Sequence, residues 1–369
     1  MLGIDALSVG PWTTKMVALA LAAGPDFKPA QYDLSRLPPY KPEQMALGVV
    51  RIYGTPLEAL VGRWANDFRS SQGHVRLEAY LVNTSQGLAG LVTGKADIGL
   101  MGHRTWHTSL VAFEREFGYE PLEIRFASGS YDDPKGSTPG LIFVVHKSNP
   151  LAGLTLQQID GIFGAQRTGG WIGTKWSTAA ARGPEGNIRT WDQLGLKGEW
   201  MGKPIHLHGS DVTLSNWADM IEREAFHGGK KWNPALVEGP RADIGLKAQG
   251  KRRDQEIIEG VSNDPLAIGF TFQRVINEYH SDVRVLPLAR TSNGPYVSPS
   301  SQTFFDGSYP MRNGAYLYLN RVPGKPLSTR DKEFVRFVLS REGQKIVAES
   351  RIYIPLDAAQ IEVERRKLE

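Results

Sequence analysis

A run of β-branched and aromatic residues, Val49-Val50-Arg51-Ile52-Tyr53, ends in Gly54-Thr55-Pro56 and passes straight into Leu57, Leu60, Val61, Trp64 and Phe68 at the offsets of one helical face. A strand-like pattern giving way to a 3.6-residue period across a short turn is the signature of a strand feeding a helix. The unit recurs. Residues 75–82 read as a strand, Asn83-Thr84-Ser85-Gln86-Gly87 as a turn, Leu88, Leu91 and Val92 as a short helix face, and Ala96-Asp97-Ile98-Gly99-Leu100-Met101 as the next strand, with another over 122–127. Strands alternating with helices call for an α/β fold, with mainly parallel sheets flanked by helices.

The pattern restarts further on. Residues 141–146 (LIFVVH) form a strand followed by Lys-Ser-Asn-Pro. A second α/β region then carries a helix over 156–163, a glycine-rich loop at 164–173, a strand at 204–208, a helix from Asn216 to about Phe226, a core strand beginning at Ile268-Gly269-Phe270, and a strand at 284–288. A late strand at 315–319 and amphipathic helices over 332–340 and 342–349 close the chain. The 369 residues suit two such regions. Residues 24–46 hold Pro25, Pro29, Pro38, Pro39 and Pro42, which block regular structure, so ordered folding is expected to begin near Val49. Residues 16–23 (MVALALAA) are too short to span a membrane; they read as a poor signal-peptide core, with Asp5 where a basic region belongs, or as a short helix.

Net charge is +4, from 43 Lys+Arg against 39 Asp+Glu, a mild excess that favours small anions but lacks the concentrated basic stripe of a nucleic-acid binder. With no cysteine, disulfides, thiolate metal sites and cysteine nucleophiles are excluded. His103/His107 and His206/His208 have ligand-like spacings, but without Cys or a His-Glu-x-x-His pattern no metal site is expected. Gly129-Ser130 lacks the full nucleophile elbow and Gly94-Lys95 lacks the rest of a P-loop.

Two strand-to-helix turns carry hydroxyls at helix starts: Thr55 after the first strand, and Thr84-Ser85 after the second. A helix start offers unpaired N–H groups and the positive end of the helix dipole, which suits an oxyanion, and in open α/β sheets ligands sit at the carboxyl ends of strands. Each residue taken alone also reads as a simple cap. Thr55 and Glu58 match a capping box with Pro56 at the first helical position.

The ordered set of features resembles the periplasmic phosphate-binding proteins of ABC transporters. Gly54-Thr55-Pro56 with Trp64-Ala65, the Asn83–Gly87 turn, Ala96-Asp97-Ile98-Gly99, the crossover stretch with Asn149-Pro150-Leu151 and Leu154-Thr155, Ile188-Arg189-Thr190-Trp191, Tyr309-Pro310, and Phe337–Gln344 occur in the family's order over about residues 47–357. The resemblance implies a two-lobed type II periplasmic binding fold, with residues 1–46 as an N-terminal extension, 47–140 plus 310–369 as lobe 1 and 141–309 as lobe 2. It implies an exported, periplasmic, monomeric binding protein without cofactor or catalytic residues. Its ligand would be phosphate or a related oxyanion and its partner an inner-membrane permease. By position, Thr55, Thr84 and Ser85 become first-lobe ligand donors. The family's aspartate position is Gly102 here, followed by His103 and Arg104, and its second-lobe arginine and Ser-Gly-Thr are replaced within His206–Ser215. Arg104 then becomes the candidate source of positive charge and His103 of proton sensing, with second-lobe contacts from Ser210, Asp211, Thr213 or Ser215. These departures leave open a member that binds another solute, or serves as a sensor or adhesion component; a phosphatase-like enzyme on the same lobes is a third reading.

Overall fold

The computed structural model describes residues 32–129, 140–210, 212, 216–238, 253–273 and 282–369. The first region runs β1 (Gly48–Gly54), α1 (Glu58–Ser71), β2 (Val75–Tyr80), α2 (Gln86–Val92), β3 (Ile98–Met101), α3 (His107–Phe117) and β4 (Leu122–Ser128). The chain then crosses to β5 (Ile142–His146), β6 (Leu154–Thr155), α4 (Leu156–Phe163), a hairpin of β7 (Gly170–Ile172) and β8 (Lys175–Ser177), and β9 (His206–Gly209). There follow α5 (Asn216–Glu224), β10 (Leu236–Glu238), α6 (Arg253–Ser262), β11 (Ala267–Thr271), β12 (Val283–Val285), β13 (Leu288–Ala289) and α7 (Ser301–Phe305). It returns as β14 (Gly314–Leu319), α8 (Thr329–Val338), α9 (Arg341–Ser350), β15 (Ile354–Pro355) and α10 (Ala358–Arg366).

The two main sheets, ordered β15-β4-β14-β3-β1-β2 and β10-β9-β11-β5-β12, follow one plan. A central strand, β1 or β9, lies between two parallel neighbours. Beyond the third strand comes an antiparallel strand from the far side of a crossover: β14 beside β3, and β5 beside β11. The fourth strand, β4 or β12, pairs on the other side of that inserted strand. The two crossover segments are stitched together where they meet. The Gly129 N–H donates to the Asn313 carbonyl (2.9 Å) and the Leu141 N–H to the Met311 carbonyl (2.9 Å). The Tyr309 hydroxyl donates to the Leu141 carbonyl at 3.1 Å. This two-lobed α/β architecture is the one that the sequence resemblance implies.

Each lobe has its own core. In the first, the helical face read from the sequence is the buried one: Leu60, Val61, Trp64 and Phe68 of α1 are covered. Trp64 stacks edge-on against Phe126 and Phe334, and its Nε1 donates to the Gly343 carbonyl at 3.1 Å, so α1 is fixed to both sheet and C-terminal helices. The second core centres on Phe143, Phe163, Trp191, Phe226 and Phe270. Residues 32–46 have no helix or strand, as their prolines dictate, yet order begins well before Val49. Leu37 and Ala46 belong to the first core. The Arg341 N–H donates to the Pro38 carbonyl (2.9 Å), the Tyr40 hydroxyl to Glu333 (2.8 Å), and the Ala46 N–H to Gln72 Oε1 (2.8 Å). Partners far along the chain satisfy a backbone that proline keeps out of any local ladder.

Both central strands end on a glycine held against the neighbouring strand. Gly54 has φ +145°, and a Cβ there would lie 1.9 Å from the Leu100 carbonyl oxygen. At Gly209 a Cβ would meet the Phe270 ring at 2.4 Å. Gly54→Ala is therefore expected to destabilise the protein by about 1–3 kcal/mol or more, through overpacking and a backbone conformation unfavourable to alanine. A urea unfolding curve with an unshifted midpoint would contradict this.

Candidate functional site

The carboxyl ends of β1 and β3 lie side by side, with Gly54 paired to Leu100, and the residues that leave them are joined. The Thr55 N–H donates to the Leu100 carbonyl at 2.9 Å. The Thr55 hydroxyl oxygen accepts from the Gly102 N–H at 2.8 Å and lies 3.0 Å from the Thr84 hydroxyl. The expected Thr55–Glu58 capping box does not form: α1 starts at Glu58 with Leu57 at the N-cap position, and no side chain caps it. The competing partner is the Gly102 N–H, which β3 brings to Thr55 by parallel pairing. Ser85 precedes α2 without capping it by its side chain and turns away, donating to Asn83 Oδ1 at 2.5 Å.

One proton can lie between the Thr55 and Thr84 hydroxyls, which leaves the second proton of the pair without an acceptor among the described residues. Both threonines are half-buried, so a ligand can still reach them. The same end of the sheet holds more polar capacity. A side chain at Gly102 would come within 3.1 Å of the Tyr353 hydroxyl and 3.4 Å of Thr55 Oγ1, so the two oxygens border one spot. Tyr353 is buried, packs edge-on against Phe126, and precedes β15, whose Ile354 pairs with Ser128. Ser128 Oγ and Asn313 Nδ2 are buried without a hydrogen-bond partner among the described residues. Buried polar atoms are nearly always satisfied, so such a concentration at one strand edge marks a place for a polar ligand or water.

In the second lobe, Ser210 follows Gly209 at the end of β9, the strand that takes the place of β1, and its Oγ is likewise buried without a partner among the described residues. Asp211, Thr213 and Ser215 lie outside the described residues. His103 and Arg104 are engaged elsewhere. His103 Nδ1 lies 2.8 Å from the Arg104 carbonyl and its ring packs against Trp106. Arg104 Nε donates to Glu123 at 2.9 Å, so its charge is already neutralised. Burial pulls the Arg104 guanidinium down, but the adjacent Glu123 more than compensates and raises it. Sequence reasoning missed Tyr353, Ser128 and Asn313. No local pattern surrounds them; only strand pairing gathers them at the site.

No family model matches the chain. The phosphate-binding protein PstS of Pseudomonas aeruginosa is 28% identical over 323 residues, covering 87% of this chain and 87% of that protein. The protein SphX of Synechococcus elongatus is 23% identical over 299 residues, 80% of this chain and 73% of its own length. The solved structure of PstS from Borrelia burgdorferi has a TM-score of 0.51 at 16% identity, over 84% of this chain and 99% of that one. The chain is similar to PstS over most of its length. An alignment over so much of the chain runs through both sheets and accords with the resemblance read from the ordered motifs.

A separate cavity of about 170 Å³, which neither Thr55 nor Thr84 lines, lies between the start of α3 and the face of α5. Its walls are charged but internally paired: Arg104 with Glu123 on one side, Arg223 with Asp219 (2.7 Å) and Lys230 with Glu222 on the other. His107 faces Trp171 across it, ring centroids 5.1 Å apart. Burial lowers the pKa of both His103 and His107; Lys230 lowers His107 further, while Asp219 opposes the shift at both.

A histidine whose folded pKa is depressed favours the neutral form. Its contribution to stability is complete above the ordinary value of about 6.5 and declines as pH falls from there through the folded value. Thermal stability is therefore expected to drop between about pH 7 and 5.5, and the joint variant H103Q/H107Q should flatten that slope. A second prediction concerns Thr55. Thr55→Val leaves the Gly102 N–H without an acceptor and should cost about 1–3 kcal/mol, whereas Thr55→Ser should cost much less. Equal urea midpoints for the two variants would refute the tie between the strands.

Proposed function

We propose that this chain captures phosphate, or a closely related oxyanion, between its two lobes and hands it to an ABC permease outside the cytoplasm. One observation carries the reading: the Thr55–Thr84 hydroxyl pair at the carboxyl ends of neighbouring strands has a proton to donate and no described acceptor. Ser210 follows the equivalent strand of the other lobe, again with a hydroxyl that has no partner among the described residues. Neutral donors at corresponding strand ends of the two lobes suit an anion held by hydrogen bonds in a closed, largely dry cleft. A relative that aligns over most of the chain is named a phosphate-binding protein, and the fold suits closure about a ligand.

The working division is lobe 1 over 47–140 and 310–369 and lobe 2 over 141–309, with Thr55, Thr84 and Ser210 as donors and Asp211, Thr213 and Ser215 as further second-lobe contacts. Ser85 and Arg104 take a lesser part, since Asn83 and Glu123 already engage them. Capture rather than turnover is favoured because a hydroxyl that accepts from a backbone N–H and bonds another hydroxyl is arranged to donate, whereas a nucleophile needs an adjacent base. We further propose that the chain is exported and works as a monomer.

Calorimetry of the full chain tests the reading. Phosphate should bind with a Kd at or below micromolar, about 8 kcal/mol or more. Thr84→Ala and Ser210→Ala should each weaken binding by about ten- to a hundredfold, the loss of one hydrogen bond to a charged group. No heat with phosphate, sulfate, phosphonates or carboxylates would remove oxyanion capture while leaving the fold intact.

A further inference from the structure

We propose that the β7–β8 hairpin is a latch between the lobes, and that its Trp171–His107 contact raises ligand affinity by holding the lobes together. The contact involves none of the proposed ligand donors. The inference rests on the oxyanion-capture reading above and adds what regulates closure. The hairpin is rigid at its root. It pairs Trp171 with Trp176 and turns at Gly173-Thr174, with Gly173 at φ +59°, a glycine-first two-residue turn. The Trp171 N–H donates to the Gly228 carbonyl at 2.8 Å. The two backbones approach so closely that a Cβ on Gly228 would lie 1.7 Å from the Trp171 carbonyl oxygen, and one on Gly170 2.6 Å from the Gly229 nitrogen. Just ahead of the hairpin, the buried Arg167 donates twice to the buried Asp160, at 2.7 Å each. All these partners belong to the second lobe, so the hairpin moves with it.

The far end of the hairpin touches the first lobe. The Thr174 hydroxyl donates to Glu120 Oε1 at 3.3 Å, and Gly173 lies against the same carboxylate, where a Cβ would come within 2.6 Å. Trp171 and His107 face each other with ring centroids 5.1 Å apart and planes inclined by 32°. Glu120 stands between α3 and β4, and His107 opens α3. The cavity of about 170 Å³ lies beside these contacts and is lined by His107, Glu120, Trp171 and Gly173. The ion pairs along its walls stay within one lobe each: Arg104 with Glu123 in the first, Arg223 with Asp219 and Lys230 with Glu222 in the second. The lobes therefore meet here at a rim. The Thr174–Glu120 bond is long and exposed, which leaves the ring pair as the main attraction. A rigid hairpin loses this pair when the lobes part. A contact made only in the closed form shifts the population toward it, and a ligand that needs the closed form binds more tightly as that population grows.

The test is calorimetry of the full chain with potassium phosphate, on a cycle of variants. Trp171→Ala and His107→Ala, one from each lobe, should each weaken phosphate binding by about three- to tenfold. The double variant should be no weaker than the weaker-binding single one, because both changes remove the same contact. Losses that multiply in the double variant overturn the latch. Trp171→Phe keeps a ring and should stay within about twofold of wild type; a loss equal to that of Trp171→Ala overturns the ring contact. Ile172 is 57% exposed and points to the other face of the hairpin. Ile172→Ala should leave affinity within about twofold, and a loss matching that of Trp171→Ala would mean that the hairpin's own folding matters rather than its contact, which overturns the proposal. If Trp171→Ala does not fold, His107→Ala decides, since it removes the same contact from the other lobe. Unchanged affinity in both single variants overturns the latch and leaves oxyanion capture standing. If the wild type binds neither phosphate nor sulfate, phosphonates or carboxylates, capture falls, and small-angle scattering of the ligand-free chain judges the latch by itself: Trp171→Ala should have a larger radius of gyration than wild type, and an equal radius overturns it.

Discussion

The pairing of β14 between β3 and β4 is the contact on which the rest of this molecule depends. Six residues returning from the far side of the second lobe join two strands that have no direct bond to each other. The mirror arrangement holds in the second lobe, where β5 joins β11 to β12. Neither sheet is complete without a strand delivered through a crossover, so neither lobe is assembled from one continuous stretch of chain. The same crossovers bring Asn313, Gly129, Leu141 and Met311 into register. That places the seam between the lobes beside the carboxyl ends of the strands, where ligands of α/β sheets are held.

Thr55 shows how this tertiary pairing redirects local chemistry. Its surroundings in sequence, a proline next and a glutamate three residues on, fit a helix cap. In the folded chain, β3 runs parallel to β1 and presents the Gly102 N–H at hydrogen-bond distance. The helix starts instead without a side-chain cap, at a modest cost in stability. What the arrangement provides is a hydroxyl fixed by an N–H behind it and a second hydroxyl beside it. Arg104 is the converse case. A basic residue just after a strand end suits an anion site, but Glu123, two strands away in the sheet, takes up its charge.

Much of the architecture was legible because it is written in local periodicity. The helical face of Leu60, Val61, Trp64 and Phe68 is the face that packs. The strands read over 49–53, 122–127, 141–146 and 315–319 differ from the observed ones by a residue or so at their ends, where hydrogen bonding fades gradually. The N-terminal proline-rich stretch was legible only in part. Its lack of regular structure follows from proline; its anchoring by Glu333, Gln72 and Arg341 does not, because those partners lie on distant helices. Of the site, the two hydroxyl-bearing turns could be picked out because turns after strands carry a recognisable composition. Which hydroxyls meet could not: Thr84 joins Thr55, while its neighbour Ser85 turns to Asn83.

The sequence by itself determined the alternating α/β character, the helix that carries Trp64, the irregular leader and the order of motifs that points to a two-lobed binding protein. These come from residue spacing and backbone preference, which act over a few residues. Tertiary structure alone decided that each sheet is closed by a strand from across the crossover and that Thr55 ties two strands rather than capping a helix. It alone decided that Arg104 is neutralised and that Tyr353 lies beside Gly102. Those outcomes depend on which groups are brought together across long stretches of chain, and a buried donor or acceptor bonds whatever partner the assembled sheet presents to it.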